Sequence, residues 1–233
     1  MKGLKTYLLS AGIAVILMII INHFFLSIYS NNSKGKIRKY LVLKVGEYRR
    51  QAQYLYRSEN NHYKSRLIGL PGDTIRISHS LATVNGTPID LKKNVLKKYR
   101  MINFFNNSLD LVKDTVLNVS LAELIAQHPK INIREASLEE EINKKNYFPY
   151  SFRYRWNAGF VGPLVVPGKG NPQNLTSKTE RLYKGISKKK GQKLTFNSNY
   201  YYFLNDNRSN TSDSRTIGFV NEKNIIGKVI YSW

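Results

Sequence analysis

No cysteine occurs in the chain, which excludes disulfide staples and any thiolate nucleophile or metal ligand. Acid is scarce as well: 15 Asp and Glu stand against 37 Lys and Arg, for a formal net charge of +22. No His-Glu pairing at metal-ligand spacing occurs in the segment over about 91–146, where the acids are densest, so neither a metal nor a cofactor is expected. Internal repeats are missing, and the low-complexity content is confined to Lys188-Lys189-Lys190. Aromatic residues, by contrast, are plentiful. With 16 Tyr and 10 Phe in 233 residues and a hydrophobic fraction of 42%, the composition is that of a folded core and not of a disordered chain.

The positive field suits an anionic partner, and for a domain outside the cytoplasm lipid head groups fit better than nucleic acid. Because the charge is scattered along the chain, a background of solvated lysines is the alternative. Residues Tyr7 to Ile28 form an apolar run of 22, interrupted near its end by Asn22 and His23. That length crosses a bilayer as a helix; it exceeds the core of a cleavable secretory signal, and no Ala-x-Ala-like site follows it. The expected organisation is a cytoplasmic tail over residues 1–6, a single-pass inner-membrane anchor over 7–28, and a periplasmic or extracytoplasmic domain over 29–233. Lys2 and Lys5 favour this orientation, whereas Lys34, Lys36, Arg38 and Lys39 argue against it.

Past the run, Tyr40-Leu41-Val42-Leu43-Lys44-Val45 predicts a strand, and Arg49 to Asn61 a loop or short hairpin. Arg66 to Ile68 and Thr74 to Ile77 predict strands on either side of Leu70-Pro71-Gly72-Asp73, in which Pro fixes one turn dihedral and Gly supplies a positive one. Leu81 to Val84 runs into Asn85-Gly86, a dipeptide suited to a tight hairpin. From about 91 to 146 the character changes: Ser120-Leu121-Ala122-Glu123 and Ser137-Leu138-Glu139-Glu140 have capping-box spacing, which predicts a small insert with one or two short helices, the first stopped by Pro129. Val161 to Val166 predicts an edge strand between Gly and Pro turns, and Thr179 to Ile186 a short helix. A strand is expected again at Tyr200 to Leu204, and the apolar stretches Gly218 to Val220 and Ile225 to Ile230 close the chain. After Leu204, the Asn-, Asp- and Ser-rich run Asn205 to Arg215 reads by default as a solvent loop.

Two of these stretches, taken together, carry a resemblance. Ser65-Arg66-Leu67-Ile68-Gly69-Leu70-Pro71-Gly72-Asp73 resembles the Lys-Arg-x-x-Gly-x-Pro-Gly-Asp motif of type I signal peptidases, the peptidase S26 family, and Asn205 to Arg215 resembles their Gly-Asp-Asn-x-x-x-Ser-x-Asp-Ser-Arg motif. Asp206, Asn207, Asp213, Ser214 and Arg215 are on pattern, while Asn205 stands for Gly and Thr211 for Ser. The segment around Trp156 and Gly162-Pro163-Leu164 is similar to that of the Bacteroidetes group. The resemblance implies a mostly β, antiparallel domain with a small α-containing insert and one amino-terminal transmembrane helix.

It also implies hydrolysis of peptide bonds by a serine whose proton passes to a neutral lysine, a pair that works because burial lowers the lysine pKa. Here Ser65 holds the lysine position. The Ser-Met-x-Pro-Thr nucleophile motif has no counterpart between Tyr29 and Lys39, where only Ser30 and Ser33 offer hydroxyls. Lys64 is displaced by one residue and so faces the other side of a strand, as a solvated surface lysine. The expected catalytic set is therefore empty. A membrane-anchored pseudoenzyme is implied, acting as a binding or scaffold subunit in protein export or secretion, with an active signal peptidase or secretion complex as partner and an extended peptide as ligand. Asp213 and Arg215 are expected to pair beneath the former site, and Ser65 to bond with Thr211. The alternative is an active signal peptidase with a rearranged dyad of Ser33 and Lys64. A third reading is a lipid-surface or nucleic-acid binder.

Overall fold

Short runs in which apolar and polar residues alternate make this chain mostly β. The computed structural model describes residues 7, 10–19, 25–33, 36–44, 46–78, 81–89, 97–105, 108–117, 121–127, 132–135, 156, 159–208 and 210–233. They divide into two units, Met1–Lys64 with Lys223–Trp233, and Ser65–Glu222.

In the first unit, β1 (Leu26–Ser33) pairs antiparallel with β2 (Lys36–Leu43) from Leu26↔Leu43 to Ser33↔Lys36. The carboxyl-terminal strand β17 (Ile225–Ser232) lies between β2 and β3 (Gln53–Ser58), and β3 leads into β4 (Asn61–Gly69). Tyr40, Val42 and Leu55 form the buried core here, covered by Tyr29, Ile226 and Val229. The hairpin alternative read for Arg49 to Asn61 is the one adopted. Gly227 is required where β17 crosses β2, because a Cβ there would collide with the Leu43 carbonyl.

Residues 10–19 form helix α1, exposed throughout. Among the described residues no helix is long and apolar enough to cross a membrane. The run expected to be helical to Ile28 is already strand at Leu26, where Leu26, Ser27 and Ile28 pair with Leu43, Val42 and Leu41. Hydropathy alone does not separate an apolar strand from the end of an apolar helix, and β-ladder partners decide the boundary.

In the second unit, the end of β4 pairs with β15 (Tyr200–Leu204), which pairs with β16 (Val220–Asn221). A four-stranded sheet runs in the order β11 (Val161–Val165), β5 (Thr74–Ser78), β6 (Leu81–Val84), β7 (Thr87–Pro88). The edge position expected for the Val161 segment is found, and Asn85 and Gly86 turn the hairpin with φ of 52° and 82°. Ile68, Ile75, Ile77, Leu164, Val166 and Tyr202 pack the core between these strands. Gly69 leaves them room to meet: a Cβ would strike the Ile75 side chain and lie 2.8 Å from Val166 Cγ2.

The insert is more β than its capping signals suggested. Helix α2 (Leu121–Gln127) forms at the first of them, but β8 (Lys97–Phe105), β9 (Ser108–Leu117) and β10 (Asn132–Glu135) make a three-stranded sheet in the order β10-β8-β9. Tyr, Ile, Phe, Val and Thr are frequent in the long hairpin, which precedes both cap signals, and their β preference makes it strand. The second expected helix, from Ser137, lies outside the described residues, as does Phe148-Pro149. Helix α3 (Ser177–Leu182) begins earlier than expected because Thr176 and Thr179 form its capping box. A last sheet runs in the order β12 (Gln173–Asn174), β14 (Lys193–Thr195), β13 (Lys188–Lys190), over a cluster of Tyr183, Leu194 and Phe196.

Candidate functional site

The Pro-Gly-Asp turn is closed by its own acid. Asp73 is 5% exposed; its Oδ2 accepts from the Leu70 amide at 2.7 Å and its Oδ1 from Asn85 Nδ2 at 2.9 Å. Gly72, with φ of +89°, places its amide 2.8 Å from the Val166 carbonyl, and Val166 returns a bond to the Asp73 carbonyl at 2.8 Å. Pro71 packs against Gly168, where a Cβ would come within 2.8 Å of it. This turn ties β4 and β5 to the segment after β11 through backbone groups.

The closing segment departs from the solvent loop its composition suggested. Arg208, Asp213, Ser214 and Arg215 are all buried. Asp213 Oδ1 accepts from the Arg215 amide at 3.0 Å and from Arg215 Nε at 2.9 Å. Its Oδ2 accepts from the Asn205 amide at 2.7 Å and from Arg215 Nη2 at 2.8 Å. The pair expected between Asp213 and Arg215 is thus bidentate. Arg215 also donates to the Arg208 and Asn210 carbonyls, at 2.9 and 2.7 Å. Ser214 Oγ accepts from the Phe203 amide at 2.9 Å, and Arg208 Nη1 donates to the Asn205 carbonyl. A carboxylate has about four lone-pair sites. All four of Asp213's are taken, so this acid holds backbone in place and is not available as a base.

Burial and the neighbouring Arg215 charge push the Arg208 guanidinium down to about 10. Tyr202, at 0% exposure, has no hydrogen-bond partner for its hydroxyl among the described residues. Burial first, and then the Asp213 charge, raise its phenol well above the ordinary range.

Ser65 sits directly above this nest on β4, 2% exposed, and its hydroxyl donates to Asn205 Oδ1 at 3.2 Å. Asn205 Nδ2 is in turn bonded to the Asn210 and Ser212 carbonyls, at 3.3 and 3.1 Å. Next along, Arg66 clasps Asp206 with two bonds of 2.6 Å, so the two distant motifs are joined by consecutive pairs, 65 with 205 and 66 with 206. The Thr211 carbonyl accepts from the Asp213 amide at 2.7 Å and from Thr216 Oγ1 at 2.6 Å, while the Asn207 carbonyl accepts from the Asn210 amide at 3.0 Å.

The remaining candidates lie in the first unit. Lys64 is half-buried rather than solvated, its ammonium 5.7 Å from the centroid of the Tyr40 ring, which is cation–π range. Ser30 is exposed and pairs with Lys39, and Ser33 pairs with Lys36 at the end of the hairpin. Ser33 is four ladder positions from the partner of Tyr40, about 13 Å along the strand. Sequence reasoning missed Arg208, the Asn205 partnership with Ser65, the Asn85 contact to Asp73 and the Arg66–Asp206 clasp. Only the last had a visible signal, a charge of each sign at neighbouring motif positions. Among the described residues, no group of three His, Asp or Glu is arranged to hold a metal.

A β framework closed by a Pro-Gly-Asp turn and by a buried Asp–Arg pair is what these residues build, and residues 4–233 match the family described as signal peptidase, peptidase S26. The chain belongs to that family. It is similar to signal peptidase I of Buchnera aphidicola subsp. Baizongia pistaciae (strain Bp), with 24% identity over 208 residues that cover 88% of this chain and 61% of the relative. It is also similar to signal peptidase I of Buchnera aphidicola subsp. Acyrthosiphon pisum (strain APS), with 27% identity over 176 residues, 75% of this chain and 49% of the relative. The chain therefore spans between about half and three fifths of the length of these relatives.

Proposed function

We propose that this chain is a membrane-anchored signal peptidase homologue that binds an extended peptide without cutting it and serves as a binding or scaffold subunit in protein export. The reading is carried by one observation. At the position where the family motif has its lysine, Ser65 is buried and bonded to Asn205, which itself replaces the motif's glycine. A hydroxyl held by a carboxamide cannot take a proton from a serine, since it is not basic near neutral pH. Lys64 over Tyr40 and Ser33 at the hairpin end support the same conclusion, because general-base catalysis needs the two groups within hydrogen-bond reach.

For the binding role, β1 is an eight-residue strand without a charged residue, and among the described residues no strand pairs with its outer edge, which suits addition of an extended segment. For the membrane anchor on an inner-membrane, extracytoplasmic-facing domain, the support is α1. Ile13, Val15, Ile16, Leu17, Met18 and Ile19 are each more than 50% exposed, an arrangement suited to lipid and costly in water. The partners in this reading are an active signal peptidase or a secretion complex, and the resemblance of the Trp156 segment to Bacteroidetes-group sequences supports a kinship with those enzymes.

The test uses the full chain in detergent with a preprotein carrying its signal sequence. The expected result is capture of the preprotein with no product over a long incubation. Cleavage that disappears in Ser33→Ala or Lys64→Ala overturns the proposal and installs the rearranged dyad.

A further inference from the structure

The carboxyl-terminal half carries a hairpin whose charge the peptide-binding role does not use. Strands β13 and β14 pair Lys188 with Thr195, Lys189 with Leu194 and Lys190 with Lys193, turning at Gly191 with φ of +57°. Cross-strand partners share a face. Leu194 is 1% exposed against Tyr183 and Phe196, so the Lys189 face is the inner one, and there Lys189 is neutralised by Glu180 at 2.5 Å. The outer face is therefore Lys188, Lys190, Lys193 and Thr195, with all three lysines exposed. Among the described residues none of those three has an ion-pair partner.

The arrangement is unfavourable by itself. Lys190 and Lys193 are directly opposite, where like charges destabilise a hairpin, and Lys188 lies two residues along the same face, about 7 Å away. Three ammonium groups fixed on one side of a short sheet, with the Tyr183, Leu194 and Phe196 cluster on its other side and no acid among them, are stabilised by a surface of negative charge.

We propose that this outer face of the β13–β14 hairpin docks on anionic phospholipid head groups. The proposal rests on the membrane location in the reading above and adds a second contact to it. A single apolar segment combined with a basic patch is a two-signal device, in which each lysine near an anionic leaflet multiplies affinity roughly fivefold. Nucleic acid fits less well, because binding of single strands interleaves aromatic rings with the basic groups, and this face has none.

The test is co-sedimentation of the full chain with vesicles of phosphatidylcholine alone and with vesicles containing one third phosphatidylglycerol. Three proteins are compared: the native chain, Lys188→Gln/Lys190→Gln/Lys193→Gln, and a control that removes equal charge from scattered exposed positions, Arg57→Gln/Arg76→Gln/Lys169→Gln. The expected result is salt-sensitive preference for the anionic vesicles, reduced on the order of 100-fold in the hairpin variant and much less in the control. Equal losses in the two variants, or a preference that salt does not weaken, overturn the proposal, as does tighter binding to duplex DNA that the hairpin variant abolishes. Preprotein capture on phosphatidylcholine vesicles reports the peptide-binding reading by itself, so the failure of one idea is distinguishable from the failure of the other.

Discussion

Asp213→Asn keeps the shape of the side chain and removes its charge, which isolates what the buried pair contributes. The amide oxygen can still accept two of the four bonds, but its NH2 group now faces donors at the other position. Arg215, 1% exposed, keeps its bonds to the Arg208 and Asn210 carbonyls and loses its counter-charge. Breaking a buried ion pair by removing one partner costs about 3–5 kcal/mol, and the two surviving carbonyl bonds place this case near the lower end, about 3 kcal/mol. With an m-value of about 2–3 kcal/mol/M in urea, the midpoint falls by about 1–1.5 M. Arg66→Met is the internal comparison. Its pair with Asp206 is equally bidentate but 14% and 24% exposed, so water takes over part of its role, and the loss should be about 1 kcal/mol. The two tryptophans make the assay specific: Trp156 is 7% exposed in the second unit, and Trp233 is 52% exposed in the first. In a Trp233→Phe background, urea-induced fluorescence change reports the unit that contains Asp213. A midpoint shift for Asp213→Asn no larger than that for Arg66→Met would refute the claim that burial of the pair is what makes it matter.

Two further outcomes follow from neighbouring contacts. Ser65→Lys should cost several kcal/mol in unfolding experiments, since it forces a long cation into a position that Asn205 already closes, and adding Asn205→Gly should recover about 1 kcal/mol or more of that cost. Strict additivity in the double-mutant cycle would show that the two side chains do not share one space. Tyr183 donates to the Val165 carbonyl at 2.8 Å, and burial raises its phenol to about 12. The folded state holds this proton to higher pH than the unfolded state does, so the associated stability is complete below about pH 10 and is lost as pH rises through 12. Urea midpoints measured against alkaline pH should therefore fall less steeply in Tyr183→Phe than in the native chain.

The sheet elements were legible where the pattern is local. Val42 and Tyr40 alternate with Leu41 and Leu43, Asn85-Gly86 admits the two positive φ values its turn needs, and Pro71-Gly72 admits one. The apolar run failed at its end for a reason of the same kind: from Leu26 to Ile28 nothing in hydropathy marks the change of period, and only pairing with Leu41 to Leu43 turns these residues into strand. The long β8–β9 hairpin lies ahead of the two capping boxes that coloured the reading of the whole insert, and the first of those boxes is followed by helix α2. At the site, motif spacing identified Asp213 and Arg215 but not Arg208, whose buried guanidinium donates to the Asn205 carbonyl within the same segment. Composition misjudged that segment, because Asn, Asp and Ser prefer turns whether the turn faces water or surrounds an arginine.

What survives of the signal peptidase pattern divides by physical task. Asp73, Asp206, Asp213, Ser214, Arg66 and Arg215 each bond to backbone or to one another across the fold, and all of them are on pattern. The departures fall at the lysine position and in the nucleophile segment, where the family's residues move a proton, at Thr211, which stands for the motif's Ser, and at Asn205, which bonds to Ser65. A group that clamps backbone stabilises the fold whether or not a bond is being cut, whereas an unpaired buried lysine costs stability unless a reaction needs it. Replacing that lysine by serine and the facing glycine by asparagine therefore removes a strained feature while leaving the clamps untouched. In the proposed non-cleaving reading, that leaves the framework free to serve as a binding surface.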